Sequence, residues 1–112
     1  MIFLTILASA TMVQPQAAPC GPPPNGSRPW VSSADYPREA RRKNMRGVVT
    51  FRLEVSAAGC PTACTIVKSS GYPLLDDTTC ELMLARARFK PKLDADGQPV
   101  AASVTKQFSW DF

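Results

Sequence analysis

Four cysteines, Cys20, Cys60, Cys64 and Cys80, are the residues of this 112-residue chain best equipped to do chemistry. Three chemistries suit them. A structural zinc ion takes four Cys or His ligands. The chain has no histidine, so all four cysteines would have to converge on one ion, Cys20 from a proline-rich stretch. A redox pair is spaced Cys-X-X-Cys beside a helix start that lowers the thiolate pKa. "CPTAC", Cys60 to Cys64, has three intervening residues and no helix start nearby. Disulfide bonding is left, and it belongs to oxidising compartments. The lack of histidine also removes the commonest general base. No serine elbow, glycine-rich phosphate loop or isolated carboxylate pair replaces it, so the sequence reads as a non-enzyme needing no cofactor or metal.

The compartment is written in the first residues. "MIFLTILASATMVQPQAAPC" opens with the apolar run Ile2 to Leu7, then small residues, with no charge. An apolar core of about 7–15 residues ending at an A-x-A-like site is the pattern of an export signal, with cleavage expected after Ala10 or Ala18. A positive leading segment is missing. Gln14, Pro15 and Gln16 interrupt the run well before the roughly 20 apolar residues a membrane-spanning helix needs. Pro19 stands where a lipidated cysteine would want a small residue before it. The expected organisation is a signal peptide or its remnant over 1–18, a Pro/Gly-rich linker over 19–29 and a folded domain over 30–112.

The hydrophobic periods then give the elements that must position the cysteines. "DYPREARRKN" predicts a short helix, with Asp35 as its cap, Pro37 in the first turn and Asn44 as a left-handed terminator. "VVTFRLEV" alternates: Val49, Phe51, Leu53 and Val55 on one face and Thr50, Arg52 and Glu54 on the other, the mark of a half-buried strand. "SAAG" turns the chain at Gly59, and "ACTIVKSS" predicts a second, antiparallel strand. From Leu75 a helical spacing runs through Thr79, Leu82, Met83 and Arg86, with Phe89 extending the apolar face. Asp76 and Asp77 at its start and Arg86, Arg88 and Lys90 at its end complement the helix dipole, and Pro91 stops it. After the turn "LDADGQP", Val100, Ala102, Val104, Phe108, Trp110 and Phe112 share one parity to the end of the chain, with Lys106 the one charge among them. The order helix, strand, strand, helix, strand predicts an α+β fold, a small antiparallel three-stranded sheet with two helices.

Charge excludes one partner class. The formal net charge is +4, and no basic run is longer than Arg41, Arg42 and Lys43. A nucleic-acid footprint needs a denser basic stripe.

Three stretches together carry a family resemblance: "YPREARRKNMRGVVTFRLEV", "CTIVKSSGYPLLDDTTCELMLARARFKP" and "DGQPVAASVTKQFSWDF". Over Tyr36 to Phe112 they resemble the C-terminal domain of the TonB energy transducers. Their distinctive points are Tyr36-Pro37, Gly47, Ser69-Ser70-Gly71, Leu75-Asp76, Phe89-Lys90-Pro91 and Asp96-Gly97. The resemblance implies a periplasmic binding module that engages the short box peptide of TonB-dependent outer-membrane transporters in energy-coupled transport. Full transducers also carry an N-terminal membrane helix docked on an inner-membrane motor complex. That partner is implied here only if such a helix precedes this chain. The alternative is a stand-alone secreted domain that binds another peptide or forms a homodimer.

Two site expectations follow from the residues. A last strand lies readily at a sheet edge, where an extended peptide can add to its unpaired backbone groups. The expected edge runs from Val100 to Phe112 through Ala102, Ser103, Val104, Thr105, Lys106, Gln107 and Phe108, with Lys106 guarding it against uncontrolled pairing. The disulfide expectation is Cys64 to Cys80, because Cys64 shares the parity of Ile66 and Cys80 lies in the helix that folds back over that strand. Cys20 and Cys60 would then tie the arm to the first hairpin. Cys60 paired with Cys80 is the other arrangement.

Overall fold

The computed structural model describes residues 20–24, 26 and 28–112. The expected export segment, with Ala10 and Ala18, lies outside the described residues, as do Pro19, Asn25 and Ser27 of the linker.

β1 (Gly47–Val55) is the centre of the molecule because one of its faces is fully apolar. Val49, Phe51, Leu53 and Val55 are buried, and Val48 and Arg52 on the opposite face are exposed. β2 (Pro61–Lys68) and the last strand, β5 (Ala102–Trp110), flank it, both antiparallel to it, in the order β2-β1-β5. Leu53 stands opposite Cys64 on one side and Val104 on the other. The helix α2 (Pro73–Arg86) lies across β2 and β1. Its buried Leu75, Thr79 and Met83 close the core with Phe51, Leu53 and Trp110. A short helix, α1 (Arg38–Arg42), precedes β1 and contributes the fully buried Ala40. The architecture is the expected α+β fold, with the three-stranded antiparallel sheet and two helices in the expected order. To these is added a second small sheet, β3 (Lys92–Leu93) with β4 (Pro99–Val100).

The structure corrects three local expectations. Asp35 does not cap α1. It ends a 3-10 turn, Ser33–Asp35, whose carboxylate accepts hydrogen bonds from the Ser32 N–H and hydroxyl, and Pro37 takes the cap position. The second helix stops at Arg86, so Phe89, Arg88 and Lys90 lie beyond it. The cause is capture of the following chain by the β1–β2 turn: the Phe89 N–H donates to Gly59 O at 3.0 Å. Gly59 has φ +86°, and a Cβ there would overlap Phe89 O, so two constraints demand glycine. Third, the long terminal strand is broken at Ala101. Val100 is not on the edge strand but pairs with Lys92 in the small hairpin. The Asp94 carboxylate folds that hairpin by accepting from the N–H groups of Asp96 and Gln98, both at 2.9 Å.

Asp76 has a larger part than complementing a dipole. It is buried, and its carboxylate accepts from the Ser69 hydroxyl, from the Ser70 N–H at 2.9 Å and from the Ser70 hydroxyl at 2.7 Å. The "SSG" loop is thereby fastened to the start of α2. Burial on its own would raise the Asp76 pKa, but the bonds from Ser69 and Ser70 outweigh it and hold the carboxyl below the usual carboxylate range. A folded-state pKa below the unfolded one contributes stability that is complete above the unfolded value and is lost as pH falls through the folded one. Asp76→Asn turns one acceptor into a donor facing donors and is expected to cost about 1–2 kcal/mol in urea unfolding at pH 7. The gap to the unmodified protein should narrow as pH falls below the ordinary carboxylate range, because the unmodified protein loses the same contribution there.

Candidate functional site

β5 pairs with β1 along its whole length, from Ala102 opposite Val55 to Trp110 opposite Gly47. Its other side has no strand beside it among the described residues. The strand is therefore an edge, with a row of backbone donors and acceptors facing away from the sheet. On its core face Val104 and Phe108 are half-buried and Trp110 is wholly buried. Lys106 shares that parity but is exposed, its ammonium 5.8 Å from the centre of the Phe89 ring. Ser103, Thr105 and Gln107 are exposed on the opposite face, where the Ser103 hydroxyl donates to the Glu54 carboxylate.

The edge is held rigidly at its C-terminal end. The Trp110 indole N–H donates to the Thr79 hydroxyl at 2.8 Å, and that hydroxyl donates in turn to Leu75 O at 2.7 Å. Both side chains are buried, so each polar group is matched where water cannot serve it. Around this point Tyr36, Phe108, Trp110 and Phe112 meet with ring centroids 5.0 to 6.2 Å apart. The Tyr36 hydroxyl donates to Met45 O, which ties the segment after α1 to the same cluster. Four aromatic residues with mostly edge-to-face geometry make a stiff anchor. At the other end, Ala101 alone separates β5 from the small hairpin.

The sheet's second edge, β2, differs in kind. It begins at Pro61, which has no N–H to offer, and it carries the disulfide that joins Cys64 to Cys80, with Cα atoms 5.6 Å apart. A second disulfide joins Cys20 to Cys60, with Cα atoms 5.5 Å apart. The arm that carries Cys20 is held further by Arg88, whose guanidinium donates to Gly21 O at 3.2 Å and Cys20 O at 3.5 Å. No cysteine is free among the described residues.

Arg86 lies on the helical spacing, but periodicity does not show the partners it positions. From the end of α2 it donates to Trp30 O and to the Asp35 carboxylate, both at 2.9 Å. That guanidinium bond, against a partial burial penalty, holds the Asp35 carboxyl below its usual range. The ion pair spans 51 residues of sequence, a separation no local pattern reports.

A two-layer α+β domain, one helix over a small sheet whose last strand is open along its side among the described residues and whose layers are bridged by one disulfide, is the class these features define. The chain belongs to the family of the C-terminal domain of the Gram-negative bacterial TonB protein, whose family model matches residues 32–112. Domains of this family are periplasmic. They serve energy-coupled transport, interact with TonB-dependent transporters and are not enzymes. No protein of curated function matches the chain. No helix among the described residues is long and apolar enough to cross a membrane.

Proposed function

We propose that this chain is exported to the periplasm and there engages TonB-dependent outer-membrane transporters, taking their extended box peptide as an added strand on the outer side of β5. The observation that carries this reading is the side of Ala102–Trp110 that no strand pairs among the described residues. Backbone pairing supplies affinity in such a mode, and alternate side chains select the sequence. β5 suits it better than β2 because 102–112 contains no proline, so every outward N–H can donate. Its aromatic anchor also keeps the strand straight and in place while a partner docks.

The mode has a distinctive signature, because only alternate peptide N–H groups point at the edge. Box peptides N-methylated at one position at a time should lose binding with a period of two residues, by about tenfold at each inward-facing position. The protein is left untouched, so misfolding cannot mimic the result. A flat profile would contradict strand addition. A domain that pairs β5 with a second copy of itself would instead show binding that falls as its own dimer forms.

A further inference from the structure

We infer that the basic end of this domain, α1 with the turn after it, docks on an anionic phospholipid surface. This surface is additional to the β5 edge and does not depend on strand addition. Five of the thirteen Lys and Arg residues but one of the nine Asp and Glu residues fall within 38–46, so the rest of the chain carries eight of each and is neutral. The whole formal net charge of +4 thus sits in that one segment.

The fold spreads this charge over a face. Arg38, Arg41 and Arg42 recur at helical spacing, which puts them together on the side of α1 opposite the wholly buried Ala40. All three are exposed, as are Lys43 and Arg46. Lys43 pairs with Glu39 at 2.9 Å, whereas Arg38, Arg42 and Arg46 form no ion pair among the described residues. Arg41 is held outward by its bond to Ser33 O at 3.0 Å and by the Tyr36 ring, 5.8 Å from its guanidinium. Asp111, exposed beside Phe112, is the other acid at this end, and five basic residues against Asp111 and Glu39 still leave it at +3.

Apolar neighbours select the kind of anion. Phe112 is half-exposed and lines the same hollow as Arg41 and Arg46. Val48, also half-exposed, follows Arg46 by two residues. Guanidiniums suit headgroup phosphates, and a phenyl ring beside them can enter the acyl boundary below, so the pair of features fits a bilayer interface. A soluble ionic polymer offers the ring nothing. Domains of this family are periplasmic, and phospholipid membranes bound that space.

Co-sedimentation with vesicles of phosphatidylglycerol and phosphatidylcholine in equal parts tests this, against vesicles of phosphatidylcholine alone. The protein should bind the first and not the second, and bind less at high salt, where the Debye length falls to about 3 Å near 1 M. A basic residue at an anionic surface changes binding by about fivefold, so Arg41→Gln/Arg46→Gln should lose about twentyfold. Glu39→Gln should gain about fivefold, a change that misfolding does not produce. Phe112→Ser should weaken vesicle binding by about fivefold and leave its salt dependence unchanged. Equal binding to both vesicles, or an affinity unmoved by the arginine and Glu39 variants, would overturn the inference. Retention on immobilised heparin together with vesicle binding that Phe112→Ser leaves unchanged would also overturn it, in favour of a soluble polyanion.

Discussion

Trp110→Ala is expected to cost about 3–5 kcal/mol, the range for removing a fully buried large aromatic side chain. Trp110 has no solvent exposure and lies at the join of β5, α2 and the aromatic cluster. Its removal also strips the Thr79 hydroxyl of a donor in a place water does not reach. A domain of this size has roughly 5–10 kcal/mol of stability in all, so the melting temperature should fall by about 20 °C or more. Trp110→Phe separates the two contributions, since it keeps most of the packing and removes the indole N–H. It should cost about 1–2 kcal/mol. If Trp110→Ala lost less than about 1 kcal/mol, the tryptophan would not be holding the strand as described.

The second large effect is expected from Cys64→Ala/Cys80→Ala. The bridge joins residues 16 apart, the central part of β2 to the middle of α2, across the "SSG" loop. Constraining a loop of that length in the unfolded chain is worth about 3 kcal/mol. The Cys20–Cys60 bridge spans 40 residues and by the same reasoning would be worth about 4 kcal/mol. The folded state must then also order the arm, at about 1 kcal/mol or more per residue fixed. Its net contribution is therefore the smaller. Urea unfolding of the two double variants should show that order. Peptide mapping without reductant should recover Cys64 linked to Cys80, and a fragment linking Cys60 to Cys64 or to Cys80 would contradict the staple.

Much of the fold was legible because β1 alternates from Val49 to Val55 and the apolar spacing of α2 sets its buried face. Both signals follow from one-sided burial, which leaves a period in the sequence. What was not legible lies where burial is not periodic. The β3–β4 hairpin is two residues per strand and exposed throughout except at Val100, so it leaves no alternation to read, and the parity of Val100 continues that of β5 although it pairs in the hairpin. The end of α2 depends on Gly59 O capturing Phe89, a contact between residues 30 apart in sequence. Arg86 and Asp35 likewise find each other only in the folded chain. The strand that forms the candidate edge was legible as an apolar alternation through Ala102, Val104, Phe108 and Trp110. Its two ends were not, because one depends on the hairpin and the other on aromatic packing around Tyr36.

Hydrogen exchange along β5 tests the central claim most directly. Successive N–H groups of an edge strand point alternately to the neighbouring strand and to solvent. Saturation with a transporter box peptide should slow exchange of every second amide within 102–110 by about tenfold or more, while the set already bonded to β1 changes little. Protection gained along β2 or α1 instead, or gained evenly along β5 with no alternation, would contradict strand addition at this edge.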